Sequence, residues 1–160
     1  MTNDAQPETW TMPFQLCYAS TATREMQRAD LLELLAHARK HNASIGVTGL
    51  LLFQGGHFLQ VLEGDAEPVR SLFKRICADR RHDKIALLFE ELVSEREYRD
   101  WSMGFQALDG SEWMEFPNDD GSEKDLRAMA EAMGRAKELL LYVRRHGLDP
   151  AKDVATPSEA

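Results

Sequence analysis

The stretch Gly46-Val-Thr-Gly-Leu-Leu-Leu-Phe53, Gln54-Gly-Gly-His57, Phe58-Leu-Gln-Val-Leu-Glu63 decides how this chain folds. Its first block favours β structure and carries little polar content, as a central strand buried on both faces must. Gln54 to His57 supplies turn chemistry, because glycine tolerates positive φ. The third block is then the partner strand of a hairpin, which Gly64 closes.

Upstream of the hairpin, Phe14-Gln-Leu-Cys-Tyr-Ala-Ser20 partly alternates and is rich in apolar groups, so it reads as a strand. Leu31, Leu32, Leu34, Leu35 and Ala38 recur at helical spacing, giving an amphipathic helix over roughly 27–41 that ends near His41-Asn42. Downstream, Val69, Leu72, Phe73 and Ile76 mark a second helix, with Pro68 tolerated in its first turn. Ile85 to Phe89 reads as a strand, and polar Glu90 to Asp100 has room for a short helical turn. Trp101-Ser-Met-Gly-Phe105 is the last expected strand. Residues 109–122 are loop-like, with Gly110, Pro117, Asn118 and Gly121 as breakers. Leu126, Met129, Ala130, Met133, Ala136, Leu140 and Val143 then form an apolar stripe over about 123–146, stopped by Gly147.

The order is β-α-β-β-α-β-β plus a C-terminal helix, an α+β arrangement whose first six elements match the ferredoxin-like pattern. A mixed sheet with two helices on one face leaves the other face to be covered, and the C-terminal helix is the candidate. The stripe is expected to pack within the chain, with a dimer interface as the other option; a homo-oligomer is expected. Residues 1–13 read as a flexible leader, 14–107 as the main domain, 108–147 as a loop and helical cap, and 148–160 as a tail.

Bulk chemistry narrows the function. The 160 residues are 43% hydrophobic and 29% charged, with a formal net charge of -8. Such an acidic chain repels phosphate backbones, so neither nucleic acid nor an anionic membrane surface is an expected partner. Cys17 and Cys77 both lie in apolar stretches, which points to reduced, buried thiols rather than a disulfide framework. The polar start lacks a secretory signal and no run is long enough to span a bilayer, so a cytoplasmic location is expected. No cysteine pair has metal-ligand spacing. His41, His57 and His82 sit in no nucleophile motif, and the glycines form neither a dinucleotide fingerprint nor a phosphate loop, so an enzyme is not expected.

Several polar residues interrupt apolar strands. Tyr18 and Ser20 share a face by two-residue alternation, and Gln60 stands between Leu59 and Val61. A buried phenol and a buried amide both need partners, ordinarily backbone or water. On neighbouring central strands they have another option: to face one another and read the polar edge of a planar heterocycle. Trp101 and Met103 alternate on the last expected strand and, taken alone, are core fillers. Asn42 taken alone is a helix C-cap, and Arg75 a solvated cation.

Together these residues resemble the BLUF family of flavin-binding blue-light sensors. The likeness is carried by Leu16-Cys-Tyr-Ala-Ser20, Asn42 with Gly46-Val-Thr-Gly-Leu-Leu51, Phe58-Leu-Gln-Val-Leu-Glu-Gly64, Asp79-Arg-Arg-His82 and Trp101-Ser-Met-Gly-Phe105, in order over about 14–107. It implies a flavin between the two helices, usually FAD, with FMN or riboflavin as options. Tyr18 falls on the family's light-active tyrosine and Gln60 on its switching glutamine. Asn42 and Arg75 match polar ligands of the ring, and Leu34 and Ile76 its apolar faces. Trp101 and Met103 match strand residues linked to signalling, while Arg81 and His82 acquire no role. The implied photochemistry passes an electron and then a proton from Tyr18 to the excited flavin and rearranges the Gln60 hydrogen bond, by rotation or tautomerisation. The last strand and C-terminal helix then shift, signalling to a partner protein in trans. A ferredoxin-like interaction module without light sensing is the alternative, and a flavin enzyme a weaker third.

Overall fold

Leu50 to Phe53 form the middle of strand β2, Thr48–Gln54, which is buried throughout that run. The computed structural model describes residues 11–98, 101–108, 113–115 and 123–146. β2 pairs with β3, His57–Gly64, in an antiparallel register that sets Gln54 opposite His57. Only Gly55 and Gly56 remain in the turn, at φ 54° and 84°. Two consecutive positive φ values are what a tight hairpin turn matching the sheet's twist requires.

The remaining elements are β1 (Phe14–Ala22), α1 (Arg28–Ile45), α2 (Ala66–Cys77), β4 (His82–Leu92), β5 (Gly104–Ala107), β6 (Met114–Glu115) and α3 (Glu123–His146). The sheet order is β4-β1-β3-β2-β5-β6. β1 is antiparallel to both β3 and β4, whereas β5 runs parallel to β2, so the sheet is mixed. This is the expected ferredoxin-like α+β fold.

Alternation along the strands divides the core. Leu16, Tyr18, Leu51, Leu62, Met103 and Phe105 face Leu31 and Leu35 of α1 and Val69 and Leu72 of α2. Cys17, Leu50, Leu52, Leu59 and Val61 face Ala132, Ala136 and Leu140 of α3. The C-terminal helix therefore covers the second face.

Several local expectations are corrected. α1 continues past Asn42 to Ile45, and its cap is Gly46 in the left-handed region at φ 72°. Asn42 is thus a buried residue of the last helical turn, not a C-cap. β4 extends over Glu90 to Leu92, and 93–98 bend without a helical turn. β5 begins at Gly104, three residues later than expected, and is followed by the unanticipated two-residue β6. Cys17 is buried but Cys77 is exposed, because it lies one residue beyond the sheet-facing row that ends with Ile76. Expectations for 1–10, 99–100, 109–112, 116–122 and 147–160 lie outside the described residues.

Candidate functional site

The β1–β3 register sets Tyr18 directly opposite Gln60. Both side chains are buried on the helix-covered face, and the Tyr18 phenol donates a hydrogen bond to Gln60 Oε1. Gln60 Nε2 in turn donates to Met103 Sδ at 3.4 Å. The amide is therefore oriented from both ends, by a hydroxyl that can give a proton and a sulfur that can only accept one weakly. Burial pushes the Tyr18 phenol far above its ordinary value, so it keeps its proton.

Above this pair, between α1 and α2, lies a cavity of about 420 Å³. Tyr18 and Gln60 line it from the sheet, Leu34 and Asn42 from α1, and Arg75 and Ile76 from α2. The structure thus brings together all six residues singled out as ligand contacts. Leu34 and Ile76 present half-buried apolar walls. Asn42 is held by a bond from Nδ2 to the Ser102 carbonyl at 2.9 Å. Arg75, exposed at the rim, lies 2.8 Å from His41 Nε2; a guanidinium can only donate, so the imidazole nitrogen accepts.

Trp101 and Met103 part company. Met103 enters the pocket-side core beside Gln60, whereas Trp101 enters the core under α3, stacked on Tyr98 at 5.9 Å between ring centroids. They do not share a face, because regular strand geometry starts only at Gly104.

His82 is a pocket residue that acquired no role from sequence. It is buried, with Nε2 2.7 Å from the Ile76 carbonyl and Nδ1 2.7 Å from Ser20 Oγ. A carbonyl can only accept, so Nε2 donates to it; in the neutral imidazole Nδ1 then accepts from the serine. This bond ties the end of α2 to β1 beside Tyr18. At the mouth, Arg81 clamps Asp79 at 2.6 Å, and its hydrogen bonds hold the Asp79 carboxyl below the ordinary carboxylate range. The only signal for either was the Asp79-Arg-Arg-His82 block.

A larger hollow of about 670 Å³ lies on the opposite face, where segment 93–98 meets α3. It contains none of the anticipated ligand contacts. Among the described residues no His, Cys, Asp and Glu side chains form a metal-binding group, and no helix is long and apolar enough to cross a membrane.

The ferredoxin-like sheet thus carries a tyrosine–glutamine pair beneath a cavity between two helices. Residues 14–104 match the BLUF family, described as sensors of blue-light using FAD, and the chain belongs to that family. It is 39% identical over 83 residues to the blue light- and temperature-regulated antirepressor BluF of Escherichia coli, covering 52% of this chain and 21% of the relative. It is 36% identical over 89 residues to the photoactivated adenylate cyclase subunit beta of Euglena longa, covering 55% of this chain and 10% of that protein. The likeness therefore spans only a small part of these curated relatives. Among solved structures, the dark state of the BLUF protein BlrB superposes with a TM-score of 0.59 at 28% identity, covering 92% of this chain and 93% of its own. Klebsiella pneumoniae BlrP1 with FMN and cyclic diGMP gives a TM-score of 0.62 at 32% identity, covering 85% of this chain and 35% of that one.

Proposed function

We propose that this chain binds a flavin non-covalently between α1 and α2 and senses blue light through Tyr18 and Gln60. The observation that carries the reading is the hydrogen-bonded series Tyr18–Gln60–Met103 opening onto the cavity. A volume of about 420 Å³ suits a small-molecule site. A flavin ring is apolar on both faces and polar along one edge. Leu34 and Ile76 supply the apolar walls, while Asn42, Gln60 and Arg75 supply amide and guanidinium groups for that edge. The residues fit FAD, the cofactor in the family's description, and also FMN, which BlrP1 carries.

A bound, excited flavin supplies a strong one-electron oxidant. Tyr18 is held protonated by burial, so losing an electron obliges it to lose its proton as well. Gln60 has one acceptor end and one donor end; rotation exchanges which atom faces the cavity, and tautomerisation leaves the atoms in place but exchanges which of them donates. That change weakens the contact with Met103, which can only accept and whose segment leads directly into β5. A local bond contributes on the order of 1 kcal/mol, enough to bias a balanced pair of conformations. The output is a shift of β5 and α3 delivered to a partner protein in trans, with residues 14–107 as the flavin-binding unit and 108–147 as its cap.

The test is an absorption spectrum of flavin-loaded protein before and after blue light. A yellow protein whose flavin band moves to longer wavelength and returns in the dark is expected. Protein that stays colourless when supplied with flavin, or a lit spectrum identical to the dark one, would overturn the reading in favour of a light-insensitive interaction module.

A further inference from the structure

Among the described residues Glu63 is the one buried carboxylate, with 0% exposure. It stands three residues beyond Gln60 on β3 and faces the α3 side of the sheet, away from the cavity. Four donors surround it. Oε1 accepts from Tyr98 N at 2.7 Å and Thr48 Oγ1 at 3.0 Å; Oε2 accepts from Glu97 N at 2.9 Å and Gln15 Nε2 at 3.2 Å. Each oxygen thus has two partners, the full complement of an ionised, acceptor-only group. Burial holds the carboxyl above its ordinary range, with the bonds from Tyr98, Gln15 and Thr48 and the charge of Arg96 pulling against it.

The backbone it holds is strategically placed. Tyr98 donates from its hydroxyl to the Ala132 carbonyl at 3.2 Å, and Glu97 pairs with Arg135, so both reach α3. Trp101 N donates to the Tyr98 carbonyl at 2.9 Å, and Trp101 stacks on Tyr98. Two residues further, Met103 takes the Gln60 amide. β3 therefore grips the connection between β4 and β5 twice, by Glu63 at its start from one face and by Gln60 at its end from the other.

We infer that Glu63 is a positioning residue that pins Glu97 and Tyr98 to β3, so that a change at Gln60–Met103 turns the segment against α3 instead of sliding it along the sheet. This rests on the light-sensing reading above. With its start fixed, displacement of Met103 has one outlet, rotation of the Trp101–Tyr98 stack on Ala132. With the anchor removed, the same displacement is absorbed locally and α3 stays as it was.

The experiment is hydrogen exchange of α3 amides 131–146 in the flavin-loaded full chain, dark and lit, alongside the difference spectrum. In the wild type, light should change α3 exchange. In Glu63→Gln the spectral shift should persist. Dark exchange at Glu97 and Tyr98 should rise about tenfold, as expected when bonds to a charged acceptor are weakened. The light–dark difference in α3 should vanish. A general loss of stability would instead raise exchange throughout and leave that difference in place. If Glu63→Gln does not fold, Tyr98→Phe keeps the anchor but cuts the Ala132 bond, and should at least halve the α3 response with the shift intact. A wild-type α3 response in either folded variant overturns the inference, as does a wild-type shift with no α3 response. Loss of the shift in Glu63→Gln also overturns it, because the residue would then act on the pocket. Absence of a shift in the wild type itself removes the light-sensing reading, and this inference with it.

Discussion

Gln60 points its amide nitrogen at the sulfur of Met103, 3.4 Å away on the same face of the sheet. The sulfur is a weak acceptor with no proton to return. An amide turned about its own axis would set oxygen against sulfur, and the attraction would be lost. Met103 therefore distinguishes the two amide orientations, and it does so on the segment that enters β5.

Met103→Leu tests that discrimination. The replacement conserves volume, so it should cost less than about 1.5 kcal/mol. Flavin binding and the spectral shift should remain, because Tyr18 and Gln60 are untouched. The light-driven change in exchange of β5 amides 104–107 should fall at least severalfold. A full β5 response in this variant would show that the thioether is a packing group only.

Tyr18→Phe isolates the donor. The ring remains against Phe73, 5.3 Å between centroids, so the cavity keeps its wall and its flavin. Gln60 Oε1 loses the hydroxyl and stays buried, which costs about 1–3 kcal/mol. The variant should be yellow, less stable in denaturant and silent to blue light. Gln60→Leu should likewise bind flavin and lose the usual red shift. A normal light–dark difference spectrum in either variant would contradict the assigned roles.

How far the sequence could be read depended on whether a local rule was sufficient. Alternation put Tyr18 and Ser20 on one face and the glycine pair defined the β2–β3 turn, because both effects act over a few residues. The β1–β3 register that sets Tyr18 against Gln60 joins residues far apart in the chain; alternation left a facing pair as one option, and the family resemblance favoured it. Asn42 read as a helix stop because asparagine commonly caps, yet Ala43 to Ile45 carry the helix on to a glycine better suited to positive φ. Trp101 and Met103 defeated alternation for a tertiary reason. Trp101 is turned away by its stack on Tyr98, and Tyr98 is fixed by Glu63, a carboxylate whose partners no pattern indicated.

Two glycines should respond oppositely to alanine. A Cβ at Gly49 would stand 2.0 Å from the Val61 carbonyl oxygen and 3.3 Å from the Met103 methyl carbon. The obstruction is backbone of the strand that carries Gln60, which cannot swing aside. Gly49→Ala should therefore cost about 3 kcal/mol or more, read as a lower denaturant midpoint. A Cβ at Gly134 on α3 meets nothing within 4 Å. Gly134→Ala should add about 1 kcal/mol through helix propensity. Equal effects at the two sites would contradict the packing described here.

His57 offers a pH-dependent report on α3. Burial holds its imidazole below the ordinary value of 6.5, and the positive charges of Arg144 and Lys84 lower it further. The unfolded chain then binds the proton more readily than the folded one. The stability this group contributes is present above pH 6.5 and is lost as pH falls through the lower folded value. Arg144 belongs to the last turn of α3, and its guanidinium also approaches Gly55 in the hairpin turn. Removing it by Arg144→Gln should raise the His57 pKa toward 6.5 and narrow the acid loss, read from the imidazole proton resonances across a pH series. The same reasoning applies to light. If illumination moves the end of α3 away from the hairpin, the Arg144 charge leaves with it and His57 in the wild type should titrate higher when lit than in the dark. Identical dark and lit titrations would mean that the last turn of α3 keeps its place, confining any movement to the region around Ala132.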